Sequence, residues 1–390
     1  MAETLSEPMR KLGRPLRWGL IGGGATSRIG PTHRYAARLD GKYALVAGAL
    51  DVDAPRGRAF ARDLFIQPER AYDSYEDLIA AERGRADPVD VVSVVTPNDS
   101  HFPISKALIE AGFAVICEKP LANTIEHART LVEQVERRRG LLAVNYGYSG
   151  YPMVRQARAM ITAGAIGKVQ LVQAEFALGS VGSMSEDGTA NWRTKPDIAG
   201  PSAVLGMIGT HAAHLASYVS GLKLLEVSAD TQTFVPGRQL EDNAQILCRY
   251  ENGARGSMWI SYVAAGAWHG LRLRIFGETG GIEWVQEQPN ELLVHRLGKE
   301  RQILTRNGIG TPSEVSSASR VAPAHPEGFI EAVGNVYSDF ADAVAAKLTG
   351  TPATYPYPDA MDGLLGVNFI DAVLESSRAN GRWISAEPSV

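Results

Sequence analysis

The first third of the chain is a series of short, uniformly apolar runs separated by amphipathic stretches. Runs at 18–21, 43–51, 89–97 and 113–120 are rich in aliphatic and β-branched residues and show little polar alternation. Between them, 54–64, 101–111 and 124–138 carry apolar residues at helical spacing. Strands that are apolar on both faces suit a parallel sheet covered on both sides, and their alternation with helices predicts βαβ units.

The pattern changes after about residue 145. Longer segments with period-two alternation follow at 168–178, 224–234, 242–263, 270–286 and 290–297, and "ENGA" and "ETGG" read as the turns of two hairpins. Such alternation predicts a large, mostly antiparallel sheet with one face covered. Residues 298–327 read as a long irregular loop, helical patterns return at 330–348 and 358–379, and "GRWISA" closes the fold. The predicted class is therefore α/β: an N-terminal doubly wound parallel sheet and a C-terminal α+β domain on an open sheet.

Length and charge narrow the chemistry. At 390 residues the chain exceeds what one core usually supports, so two domains are expected. The 39 Lys and Arg against 43 Asp and Glu leave a net charge of -4, which provides no positive field for nucleic acid or an anionic membrane. Cys117 and Cys248 are the only cysteines and are far apart, so neither a disulfide framework nor a paired-cysteine metal site is expected, and a reducing cytoplasm fits. Residues 1–15 lack a continuous apolar core and read as a loose tail.

Candidate chemistry begins where the first strand runs into "GGGATSRIG". Gly22 and Gly24 keep two positions of the dinucleotide fingerprint, whose glycines let the backbone approach a pyrophosphate at a helix N-terminus. Ser27 stands at the third, and Ala25 and Thr26 complete the turn. Asp51 ends the second strand 27 residues after Gly24, where an acidic side chain accepts from ribose hydroxyls and repels a 2′-phosphate. NAD is thus favoured, while Arg56 and Arg58 leave NADP open. Two later strand ends, Thr96-Pro97-Asn98 with His101 following and Glu118-Lys119 before Pro120, fall at the carboxyl edge of a parallel sheet. That edge is where α/β sheets bind ligands.

Together the glycine turn, "TPN", "EKP", the later "GTH" and the alternating C-terminal half resemble the Gfo/Idh/MocA oxidoreductases from about residue 16 onward. The resemblance implies a Rossmann domain over 16–145, a substrate-binding and oligomerisation domain over 146–390 with the last helix able to return to the Rossmann domain, and an active site between them. It also implies hydride transfer between NAD(P) and a ring carbinol of a sugar, glycoside or cyclitol, pyranose C3 among the candidates. Gly22, Gly24, Ala25, Thr26, Ser27, Asp51, Thr96, Pro97, Asn98, His101, Glu118 and Lys119 become the expected cofactor contacts.

The family lysine corresponds to Lys119. The histidine of its D-x-x-x-H pattern corresponds to His211, but Met207 stands at the aspartate position. An imidazole near neutral pKa can take the hydroxyl proton, while the lysine ammonium holds the oxygen or, if depressed, acts as base. Methionine supports neither task, so any orienting carboxylate must come from elsewhere, with Asp197 and Asp242 as candidates. Tyr148, Tyr151, Arg155, Trp192, Arg193, Met207 and His214 are further expected substrate contacts, alongside Lys119 and His211, with Tyr146 and His325 as weaker ones. No metal is expected: His211 and His214 supply two ligands at most. Two alternatives follow from Met207 and from the chemistry of oxidised sugars: a non-catalytic dinucleotide or sugar sensor, and a redox-neutral NAD-dependent glycoside-cleaving enzyme. The expected partners are a small sugar or cyclitol and further copies of the chain in a homodimer or homotetramer, not nucleic acid or membrane.

Overall fold

The computed structural model describes residues 5–179, 191–353 and 355–388. The chain divides into two compact units: Met1–Gly147 with Val333–Gly363, and Tyr148–Ala332 with Leu364–Val390. The second is therefore not continuous from residue 146 to the end.

Five strands form the sheet of the first unit: β1 (Leu16–Gly22), β2 (Tyr43–Ala49), β3 (Val91–Val95), β4 (Ala114–Cys117) and β5 (Leu142–Val144). Their order is β2-β1-β3-β4-β5 and every pairing is parallel. All residues of β3 and β4 are buried, as the uniformly apolar runs require. The helix Tyr75–Glu82, not evident in the apolar pattern, starts on Ser74, whose hydroxyl accepts from the Asp77 amide at 3.1 Å. Residues 7–12, within the stretch read as a loose tail, form a helix with Met9 buried.

The returning segment Val333–Gly363 completes this core. Tyr337 packs edge-on against Trp18 and Tyr43, at centroid distances of 6.1 and 5.4 Å, and its carbonyl accepts from the Tyr43 hydroxyl at 2.7 Å. Lys42 reaches both Asp342 oxygens at 2.8 Å.

In the second unit, β6 (Val169–Ala177), β7 (Leu224–Gln232), β8 (Asn243–Tyr250), β9 (Arg255–Ser261), β10 (Gly270–Gly277), β11 (Gly280–Val285), β12 (Glu291–Arg296), β13 (Gln302–Thr305) and β14 (Ile384–Ser385) build one sheet. The order is β13-β12-β11-β10-β6-β9-β8-β7-β14, antiparallel except for the parallel pair β6 and β9. Alternation along β8 and β10 buries one face, which packs with the helices Pro152–Thr162, Thr210–Ser220 and the later turns of Ala360–Arg378 in one apolar core. The helix Pro152–Thr162 fills a stretch before the first alternating segment that the pattern left unassigned, its proline at the first turn.

The 298–327 region is more ordered than a structureless loop. It contains β13, a short helix at Ser313–Ser316 and a knot around buried Arg306. That guanidinium donates to Asn290 Oδ1 at 3.1 Å, Val321 O at 2.9 Å and Ala322 O at 3.0 Å, and also to His325 O. Glu327 accepts from the Arg320 and Val321 amides at 2.6 and 2.9 Å. No helix among the described residues is long and apolar enough to cross a membrane.

Candidate active site

In the first unit the glycines after β1 are dictated by contact. Gly22 has φ +71°, and a Cβ there would lie 2.5 Å from Val95 O and 2.6 Å from Thr96 Cγ2. At Gly24 a Cβ would collide with Leu50 O. The next helix begins only at Gly30, after Ser27 Oγ has accepted the Gly30 amide at 3.0 Å. A Cβ on Gly30 would strike the Gly23 backbone, so Gly30, three residues beyond the fingerprint position held by Ser27, provides the close helix–strand approach. Its signal was present in "RIGPTH", but the expected spacing concealed it. Ala25 and Thr26 are exposed at the tip of this turn. Such a backbone-lined cradle fits a pyrophosphate, and Asp51 lies at the matching strand end.

Asp51 is held by Arg56, whose Nε and Nη2 donate at 2.7 and 2.6 Å, and by the Asp53 amide at 3.0 Å. The Arg56 bonds keep its carboxyl below the usual range. Arg58 pairs instead with Asp73.

At the next strand ends, Thr96 Oγ1 accepts from Ser100 Oγ at 2.8 Å, Pro97 is exposed and Asn98 buried. His101 is turned inward: Nδ1 lies 2.7 Å from Pro120 O and Nε2 3.0 Å from Thr96 O, so the ring ties the two ligand-edge loops together. Burial lowers its pKa. Glu118 is also turned inward, its Oε1 accepting from His33 Nε2 at 2.9 Å and Asn145 Nδ2 at 2.5 Å. Lys119 follows it, 8% exposed.

In the second unit His211 opens the helix Thr210–Ser220, directly after a π-turn at Leu205–Gly209. Ser202 Oγ holds the start of that turn by accepting the Leu205 and Gly206 amides at 3.1 and 3.2 Å. Buried Glu241 accepts from Ser202 and, at 3.2 Å, from the Leu205 amide; burial raises its pKa. Neither candidate orienting aspartate acts here. Asp242 is spent on the Phe234 and Val235 amides at 2.9 and 3.0 Å and on Arg238 at 3.3 Å, while Asp197 is exposed at the start of a short helix.

His211 stands edge-on to the Tyr148 ring, 4.8 Å between centroids at 89°. The Tyr148 hydroxyl reaches His269 Nε2 at 3.0 Å, and Phe176 and Phe329 pack around the pair, Phe176 5.0 Å from His269 and Phe329 5.5 Å from Tyr148. Sequence reasoning missed His269, since "AWHG" lies in a turn remote along the chain from every motif. Burial lowers its pKa. Tyr151 stacks beside Tyr148 at 6.3 Å, and its hydroxyl accepts from Gln286 at 3.3 Å.

The other expected contacts have these neighbours. His214 stacks on Tyr218 at 5.8 Å, with Arg158 4.2 Å from that ring. Met207 packs against the apolar core. Arg155 Nε donates to Ser149 O at 3.4 Å, and Arg193 lies 4.5 Å over the Trp192 ring. Tyr146 is buried in the first unit and His325 is exposed. Among the described residues no group of three or more His, Cys, Asp or Glu side chains could hold a metal.

Comparison with known proteins places this geometry. Residues 16–146 match the oxidoreductase family with an NAD-binding Rossmann fold, and 154–283 match the GFO/IDH/MocA C-terminal domain. The chain belongs to the Gfo/Idh/MocA oxidoreductases. Within this family it is 38% identical to the uncharacterized oxidoreductase YfiI of Bacillus subtilis (strain 168), over 96% of this chain and 98% of that one. It is 28% identical to levoglucosan dehydrogenase of Pseudarthrobacter phenanthrenivorans, over 95% and 97%. Among solved structures, an inositol dehydrogenase homolog from Azotobacter vinelandii complexed with NADH and myo-inositol has TM-score 0.92 and 39% identity, covering 96% of this chain and 98% of that one. This Gfo/Idh/MocA member is thus an oxidoreductase with an NAD-binding Rossmann domain.

Proposed function

We propose that the protein is an NAD-dependent dehydrogenase that oxidises a ring secondary hydroxyl of a sugar, glycoside or cyclitol. The observation that carries this reading is the full-length likeness, at TM-score 0.92, to a structure complexed with both NADH and myo-inositol. Supporting it, Lys119 and His211 keep the motif residue types and the glycine turn keeps a backbone-lined cradle.

NAD, when bound, supplies the hydride acceptor. Gly22, Gly24 and the amides after them hold its pyrophosphate, and Asp51, pre-set by Arg56, takes the ribose hydroxyls. Lys119 holds the substrate oxygen and offsets the negative charge that grows on it. His211 takes the hydroxyl proton, and Tyr148, which touches both His211 and His269, keeps the imidazole in place. Met207 stands at the family's aspartate position, and Glu241 acts on the turn that presents His211.

The test is absorbance of reduced nicotinamide with NAD or NADP and a panel of inositols, free sugars, glycosides and anhydrosugars. Reduction by a ring polyol that is lost in both Lys119→Ala and His211→Ala is expected. Tight NAD binding without turnover of any polyol sinks the reading in favour of a sensor, and cleavage of an aryl glycoside with no net reduction favours the redox-neutral enzyme.

A further inference from the structure

A chain of buried polar groups runs through the first unit and ends beside the motif lysine. Trp18 Nε1 donates to Ser93 Oγ at 2.9 Å, Ser93 Oγ meets Tyr337 Oη at 2.9 Å, and Tyr337 Oη meets His33 Nδ1 at 2.7 Å. His33 Nε2 then contacts Glu118 Oε1 at 2.9 Å. An indole N–H only donates and a carboxylate only accepts, so Trp18 donates to Ser93 and the His33 ring donates through Nε2 to Glu118, while the Ser93 and Tyr337 hydroxyls and His33 Nδ1 link these two ends without a break. Asn145 adds a second donor at 2.5 Å.

Four of the five chain members come from outside the motif: β1, β3, the first helix after the glycine turn, and the returning helix that carries Tyr337. Trp18, Ser93, His33 and Tyr337 are each at most 1% exposed. A buried hydrogen-bonded network of this kind rigidifies its terminus, and each bond polarises the next.

We propose that this chain is a positioning device for Lys119: it fixes an ionised Glu118 one residue before the lysine, so that Lys119 works as a cationic anchor for the substrate oxygen and not as the base. The proton transfer then falls to His211 alone.

The surroundings agree. Burial by itself would raise the Glu118 carboxyl, yet the bond from His33 and the charge interaction with that ring, then the Lys119 ammonium and the bond from Asn145, together hold it at about 2. The other titratable groups that sense Glu118 are Cys117, His101 and Tyr337. Burial pushes the Cys117 thiol up to about 12, raises the Tyr337 phenol and lowers the His101 imidazole. The Glu118 carboxylate thus carries the fixed negative charge that the Lys119 ammonium senses.

The inference rests on the reading of Lys119 as the substrate-oxygen residue, but its test needs no substrate. Lysines of the full chain are reductively dimethylated with 13C, Lys119 is assigned by its loss in Lys119→Arg, and its titration is followed by NMR. The wild-type midpoint is expected at or above that of an ordinary lysine, about 10.4. Glu118→Gln and His33→Phe should lower it by about one unit, and His33→Gln, which keeps an N–H donor, should restore much of the loss. A wild-type midpoint below about 9 overturns the proposal whether or not any variant folds. So does an unchanged midpoint in a folded Glu118→Gln. Failure of the dehydrogenase reading would show instead as absent turnover with this titration intact.

Discussion

The nucleotide cradle and the His211 cluster are built from different materials. The cradle is backbone: Gly22, Gly24 and Gly30 matter because no Cβ fits against Val95, Leu50 or Gly23. The cluster is side chain: Tyr148, Phe176, His211, His269 and Phe329 come from five separated segments and meet only because a nine-stranded sheet and its covering helices bring them together. A backbone site must be written in consecutive residues, since each glycine relieves a local clash. A side-chain site carries no such constraint and can be assembled from any positions that the fold makes neighbours.

The largest expected effect tests the side-chain region. His211→Ala should lower kcat by about 10²–10⁴-fold while leaving NADH binding, read by its fluorescence, unchanged. Equal losses in both would mean that the two regions are not separable. Gly24→Val attacks the backbone region. The introduced side chain meets Leu50 O, and an overpacking cost of about 1–3 kcal/mol should weaken NAD binding some ten- to hundredfold, with a lowered Tm.

Asp51 sharpens the contrast, being a side chain whose position the backbone dictates. Asp51→Ser removes the negative charge and releases Arg56, so the ratio of NADP to NAD affinity, measured by calorimetry, should rise about tenfold. In the wild type the carboxylate stays ionised below the usual range, because Arg56 stabilises the charged form. NAD affinity should therefore be flat as pH falls toward about 4 and decline only beyond it, whereas in Arg56→Ala the decline should begin at higher pH. Identical profiles would remove Arg56 from the account. The smallest effect is expected for Tyr148→Phe, which keeps the ring against His211 but loses the bond to His269: KM should rise a few-fold with kcat nearly unchanged. A large loss of kcat would instead make the hydroxyl part of proton transfer.

The two regions were also unequally readable. Gly22, Gly24 and Asp51 follow from local spacing, whereas Gly30 escaped because the turn before its helix is three residues longer than the fingerprint allows. His101 and Glu118 were placed at the correct strand ends, yet both side chains turn into the protein, and motif spacing carries no information on rotamer. His211 and His214 lie three residues apart on one helix, yet the two rings find different neighbours, Tyr148 and Tyr218. Asp242 is taken up by the Phe234 and Val235 amides, and the buried carboxylate near His211 in the chain fold is Glu241, which holds the turn before the histidine.

By itself the sequence determined the parallel and antiparallel sheets, the dinucleotide turn, the two motif strand ends and the family, because periodicity, steric exclusion at glycine and strand-end position are properties of neighbouring residues. Only the tertiary structure decided that Val333–Gly363 completes the first unit, that His269 joins His211 through Tyr148, and that Trp18, Ser93, Tyr337 and His33 line up behind Glu118. Those outcomes depend on which buried donors find acceptors across sequence separations of up to 304 residues. Burial makes an unmet partner costly, but the identity of the partner is settled by packing and not by spacing along the chain.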